Sequence, residues 1–119
     1  MIKWLKAPIQ LTSDDFIEAI QLNDKRICMV KRGNHLYAFQ NRCPHAGGQL
    51  NYGKFENGHI ICPIHRWSYD VQTGYGSEGQ GDSIRIYQVK IVQQDIFIGF
   101  KVSLWSRLFN RKSSEGEGD

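Results

Sequence analysis

The chain has 119 residues, 40% of them hydrophobic and 12% aromatic, with a formal net charge of +3. That length suits one domain with one core, and the composition excludes disordered and fibrous classes. Its basic residues are scattered rather than clustered, so no nucleic-acid partner is indicated.

At the N-terminus, MIKWLKAPIQ is broken by Lys3, Lys6 and Pro8 before an apolar export segment can build up. No window approaches the length of a transmembrane helix, and a cytoplasmic location is expected. IKWLKA reads as a first strand. SDDFIEAIQLND admits two readings. Ser13 is placed to cap a helix with Phe16, Ile17 and Ile20 on one face; equally, EAIQL is a strand turning at Asn23-Asp24 into RICMVK. Periodicity does not decide over so few residues. RICMVK and HLYAF are two further strands, joined by Arg32-Gly33-Asn34 as a tight hairpin connection. Cys28, alone in RICMVK, reads as a small buried hydrophobe. Three cysteines make no disulfide framework, which suits a reducing compartment.

The stretch from Cys43 to Trp67, CPHAGGQLNYGKFENGHIICPIHRW, carries the chemistry. HIIC reads as a strand before its second half, and WSYDV as a strand after it. Cys43 and His45 are one residue apart in the gap between them, and Cys62 and His65 two. Two such pairs in loops rich in Pro and Gly point to metal ligation. His59 reads as a strand-end surface residue and His35 as a turn residue. Two Cys and two His are a legitimate tetrahedral zinc set. The common finger, however, puts both thiolates in one knuckle and both imidazoles on a helix, and no helical pattern carries these histidines. One thiol and one imidazole per loop suits a binuclear cluster gripped from opposite sides.

Further on, residues 74–81, GYGSEGQG, are expected to form a mobile loop. SIRIYQVKIV and IFIGFKV flank Gln93-Gln94-Asp95, another hairpin signal. Segment 104–112 sets Leu104, Trp105, Leu108 and Phe109 on one helical side, expected to pack on its own domain, and 113–119 is an acidic tail expected to be disordered. Many short strands at close spacing predict an all-β sandwich or barrel-like domain.

The motifs Cys43-Pro44-His45-Ala46-Gly47-Gly48-Gln49-Leu50 and Cys62-Pro63-Ile64-His65-Arg66-Trp67-Ser68-Tyr69-Asp70, followed by Thr73-Gly74, resemble those of the Rieske iron–sulfur proteins. The likeness extends over roughly residues 2–100, the scale of a whole domain, and the domain is placed at 1–103. It implies a Rieske-like antiparallel β sandwich-barrel with a small cluster-binding subdomain at about 42–78. It also implies one 2Fe–2S cluster per chain, with Cys43 and Cys62 on one iron and His45 and His65 on the other. Gly47, Gly48, Arg66, Trp67 and Tyr69 would surround it.

Charge sets the redox character such a centre would have. Two ferric ions, two sulfides and two thiolates sum to zero, whereas four thiolates would leave an anion that resists an added electron. Histidine ligation therefore raises the potential into a window of roughly −150 to +300 mV. High-potential relatives carry an extra Cys in each loop and a Ser two residues after the second His. Here those positions hold Gly48, Ile64 and Trp67, which implies the low-potential branch that feeds oxygenases. Three departures stand out. Tyr69 replaces the usual Phe, and its hydroxyl is expected to donate to a thiolate. Arg66 replaces a Gly, adding a cation that favours the reduced form and steers an acidic partner. The loop GYGSEGQGDS lacks the family's shielding proline.

The function implied is that of a ferredoxin rather than an enzyme, carrying single electrons from a reductase to an acceptor enzyme. Both would dock at the cluster tip of a monomer or weak oligomer. The alternatives are a small subunit of an assimilatory, nitrite-type reductase and a zinc-stabilised interaction module.

Overall fold

The computed structural model describes residues 1–102. The expected amphipathic segment 104–112 and acidic tail 113–119 lie outside the described residues. Nine strands follow in chain order: β1 Ile2–Gln10, β2 Phe16–Leu22, β3 Lys25–Arg32, β4 His35–Gln40, β5 Lys54–Glu56, β6 His59–Ile61, β7 Ser68–Asp70, β8 Ile86–Val92 and β9 Asp95–Lys101. A short 3-10 helix, Leu50–Tyr52, precedes β5. The all-β expectation holds.

Six strands form one antiparallel sheet in the order β1-β9-β8-β4-β3-β2. Its two edges, β1 and β2, approach each other, so the sheet curls toward a barrel. The segment with two readings is a strand. Phe16–Leu22 pairs with β3 from Phe16↔Lys31 to Leu22↔Lys25. Asn23 and Asp24 close this hairpin with φ of 57° and 61°, the left-handed pair that a type I′ turn needs and that Asn and Asp tolerate. Strand pairing thus overrides the helical cap at Ser13. The first strand runs past IKWLKA to Gln10, with a register break between Lys6 and Gln10 in its pairing with β9. Pro8 falls inside that break, where a residue without an N–H is tolerated.

Strands β5-β6-β7 form a second, smaller sheet, with β5 and β6 between the two Cys–His loops and β7 after the second. Its first hairpin turns at Asn57-Gly58, with φ of 52° and 76°, the left-handed pair that an Asn-Gly hairpin turn adopts. The two sheets share β3 as a wall. Ile27 and Met29 face a core with Ala7, Ile20, Ala38, Tyr87, Ile96, Ile98 and Phe100. Cys28 and Val30 face the other way, into a core with Phe39, Leu50, Ile60, Tyr69, Val71 and both Cys43 and Cys62. Burial on both faces explains why RICMVK is a continuous apolar run and not an alternating one.

Residues 74–81 are tied down, contrary to the expectation of a mobile loop. Tyr75 bridges to Ser83 and Gly76 to Tyr69. The Gln80 side chain acts as a strand substitute: its Oε1 accepts from Ser68 N at 3.0 Å and its Nε2 donates to Ser68 O at 3.1 Å. Ser68 and Ser77 hydroxyls are in contact. Gly74 must be glycine, because φ is +88° and a Cβ would lie 2.3 Å from Ile84 O.

Cys28 is completely buried and its thiol is pushed up to about 12 from 9.0 by burial. A raised folded-state value means this contribution to stability is intact below about pH 9 and is lost as pH rises toward 12. The expected slope is about 1.4 kcal/mol per pH unit across that window. Urea unfolding from pH 8 to 11 should show it, and Cys28→Ala should flatten it while lowering stability at neutral pH.

Candidate metal centre

The two Cys–His loops have one backbone design, used twice. In the first, Cys43 N donates to Gly48 O at 2.8 Å and Gly47 N donates to Cys43 O at 2.7 Å. In the second, Cys62 N donates to Trp67 O at 2.7 Å and Arg66 N donates to Cys62 O at 3.0 Å. Each cysteine thus bonds across the same spacing, and the fourth residue after it is left-handed: Gly47 at φ 75° and Arg66 at φ 58°. Arg66 therefore holds a conformation that glycine adopts without cost and other residues adopt at roughly 1–2 kcal/mol.

The same turn aims backbone N–H groups at each sulfur. His45 and Ala46 serve Cys43, while Ile64 and His65 serve Cys62. The two thiols are buried and within hydrogen-bonding range of one another. Burial raises both. For Cys43 the hydrogen bonds from Tyr69, Ala46 and its neighbours outweigh burial and lower it, whereas Cys62 stays raised because burial and the neighbouring Cys43 prevail.

The imidazoles sit outward of the sulfurs. His45 and His65 are exposed, with ring centroids 5.3 Å apart. Trp67, from the second loop, stacks on His45 of the first at 3.8 Å and 11° between planes. Ile64 lies where a Cβ on Gly48 would be, 2.7 Å from its Cδ1 and 3.4 Å from Cys62 Sγ. Gly48 and Ile64 thus face each other across the two loops, a methyl-bearing side chain on a bare backbone.

Sulfur inside and nitrogen outside, in pairs from opposing loops, is a donor set for two metals. Among the described residues no group of three or more His, Cys, Asp or Glu side chains is gathered closely enough to hold a metal ion. The donors fit a 2Fe–2S centre with two thiolate and two imidazole ligands. His59 and His35 stay apart from it: His59 Nδ1 lies 3.0 Å from Asn57 O, and His35 stacks on Tyr37.

Several supporting residues escaped the reading of the sequence. Asn41, 2% exposed, clamps the first loop to the 3-10 helix: Nδ2 donates to Asn51 Oδ1 at 2.8 Å, and Oδ1 accepts from Asn51 N at 2.7 Å. Arg42 lies alongside Gly47, within 3.5 Å of where its Cβ would be. Gln80 and Asp82 brace the site from the loop beyond. Only the adjacency of Asn41 and Arg42 to Cys43 hinted at any of this. The Tyr69 hydroxyl lies 3.5 Å from Cys43 Sγ.

A family model, Rieske [2Fe-2S] domain, matches residues 4–95. Human apoptosis-inducing factor 3 is 29% identical over 80 residues, 66% of this chain but 13% of that protein, so the chain spans a small part of that relative. The anthranilate 1,2-dioxygenase ferredoxin subunit of Burkholderia cepacia is 28% identical over 88 residues, covering 70% of this chain and 82% of the subunit. The fold matches a chain in a structure described as the complex of reduced oxygenase and oxidized ferredoxin in carbazole 1,9a-dioxygenase. The TM-score is 0.72 with 21% identity, over 85% of this chain and 96% of that one.

The Ile64–Gly48 contact yields a double-mutant test. Gly48→Ala should cost about 1–3 kcal/mol by overpacking the loop interface, and Ile64→Ala in the same chain should recover most of it. Urea midpoints of the three variants measure the coupling.

Proposed function

This chain belongs to the Rieske 2Fe–2S domain family, and from that membership we propose that it is a soluble cytoplasmic ferredoxin. It passes single electrons from a reductase to an oxygenase or comparable acceptor. The family carries a Rieske-type 2Fe–2S cluster, which when bound supplies a one-electron centre in the window of roughly −150 to +300 mV. In this reading Cys43 and Cys62 hold the inner iron, and His45 and His65 the outer one, within a cluster-binding unit of about residues 42–78.

The observation that carries the proposal is the polarity of the site: buried thiols behind, exposed imidazoles in front. The buried side shields the sulfurs from water, and the exposed side lets a partner come within a short distance of the centre. Ile64, 51% exposed, and Tyr75, 70% exposed, are apolar side chains on the segments bordering it. Arg42 and Arg66 are exposed on the two loops. Such a tip favours partners with an acidic rim around an apolar contact. Trp67 restrains the His45 ring by stacking, and the N–H groups aimed at each sulfur stabilise negative charge there. No helix of the described residues is long and apolar enough to cross a membrane. A monomer or weak oligomer suits a carrier that must leave one partner for another.

The purified protein should be reddish-brown, hold two irons and two sulfides per chain, and give a rhombic paramagnetic signal on reduction. A colourless protein with one zinc per chain would end this reading. His45→Cys should lower the midpoint potential or prevent assembly, read by voltammetry and iron content; an unchanged spectrum contradicts its role as a ligand.

Arg66 separates stability from redox function. Arg66→Gly should stabilise the fold by about 1 kcal/mol through relief of the left-handed backbone and lower the potential through loss of a nearby cation. Thermal unfolding and voltammetry on one sample check both signs.

A further inference from the structure

Tyr69 is fully buried at the heart of the core that both cysteines share. Its hydroxyl has one proton and two acceptors. Cys43 Sγ lies 3.5 Å away and Asp82 Oδ2 lies 3.2 Å away. A single hydroxyl proton can be directed at only one of the two acceptors at a time. Ionised oxygen is a strong acceptor in kind, and here it stands within hydrogen-bonding distance at 3.2 Å, competing with the sulfur for the one proton.

Asp82 is not a passing surface carboxylate. Its backbone oxygen accepts from Gly76 N at 2.9 Å, and its Oδ1 accepts from Gln80 Nε2 at 3.4 Å. Gln80 in turn grips Ser68, the residue before Tyr69. The loop after β7 therefore delivers a carboxylate to the Tyr69 hydroxyl.

We propose that Asp82 is a positioning residue that draws the Tyr69 proton away from the Cys43 sulfur and so holds the centre at a lower potential than Tyr69 alone would set. This rests on the ferredoxin reading above. Hydrogen bonds to a ligand sulfur favour the reduced state; a carboxylate that competes for the donor weakens one of them.

The test is a cycle of midpoint potentials in the cluster-loaded protein. Asp82→Asn should raise the potential, because the amide is a weaker acceptor and returns the Tyr69 proton to sulfur. Asp82→Glu, which keeps the carboxylate, should stay near the native value. In a Tyr69→Phe background the rise on Asp82→Asn should fall to less than half, leaving only the through-space effect of the lost charge. Resonance Raman should show Fe–S(Cys) bands that become more sensitive to deuterium in Asp82→Asn and not in the double variant. An unchanged potential in Asp82→Asn, or an equal rise in both backgrounds, overturns the proposal. Asp82→Ala carries the same comparison if the Asn variant assembles poorly. Iron and sulfide content of the native protein test the ferredoxin reading separately, so the two can fail independently.

Discussion

The structure depends on a backbone turn made twice. A cysteine donates its N–H five residues ahead and accepts at its carbonyl from four residues ahead, and this bends each loop so that its N–H groups surround the sulfur. Two such turns set face to face place the sulfurs inside and the imidazoles outside. The geometry belongs to the main chain, which is why it tolerates one intervening residue before His45 and two before His65. It also fixes where glycine is wanted. Gly47 meets that demand, and Arg66 meets it under strain.

Behind the turns stands a core common to the two sheets. Cys43, Cys62 and Tyr69 are packed with Cys28, Val30 and Phe39 of the large sheet. The proposed ligands are thus anchored to the most deeply buried strands of the molecule. Tyr37 against Phe55, with Arg32 over the Phe55 ring, adds a second tie between the sheets. In the proposed carrier role, ligands held by such packing and by hydrogen bonds from the layer behind would keep their geometry in both charge states.

The loop beyond β7 is a third layer. With glycines at 74, 76, 79 and 81 and no proline, its composition suggests chain without order. Its order comes from side chains instead: Gln80 replaces a missing strand partner for Ser68, and the serine pair closes the gap between them. Tyr69, already singled out as a donor to sulfur, acquires a second partner in Asp82 through the same loop.

The sequence by itself determined the strand-rich class, most hairpins and the four candidate ligands. These are local properties: turn residues with special φ, apolar runs of strand length, and paired Cys and His at short spacing. It did not settle whether Phe16–Leu22 was helix or strand, because seven residues carry too little periodicity and pairing with β3 decided the matter. Nor did it reveal the Asn41–Asn51 clamp, the stacking of Trp67 on His45, the Gln80 grip on Ser68, or the Asp82 contact with Tyr69. Each joins residues on separate elements through polar or aromatic groups whose chemistry is common to any surface. Only the folded chain brings them within bonding distance, so only the tertiary structure could say which of many polar side chains face the centre.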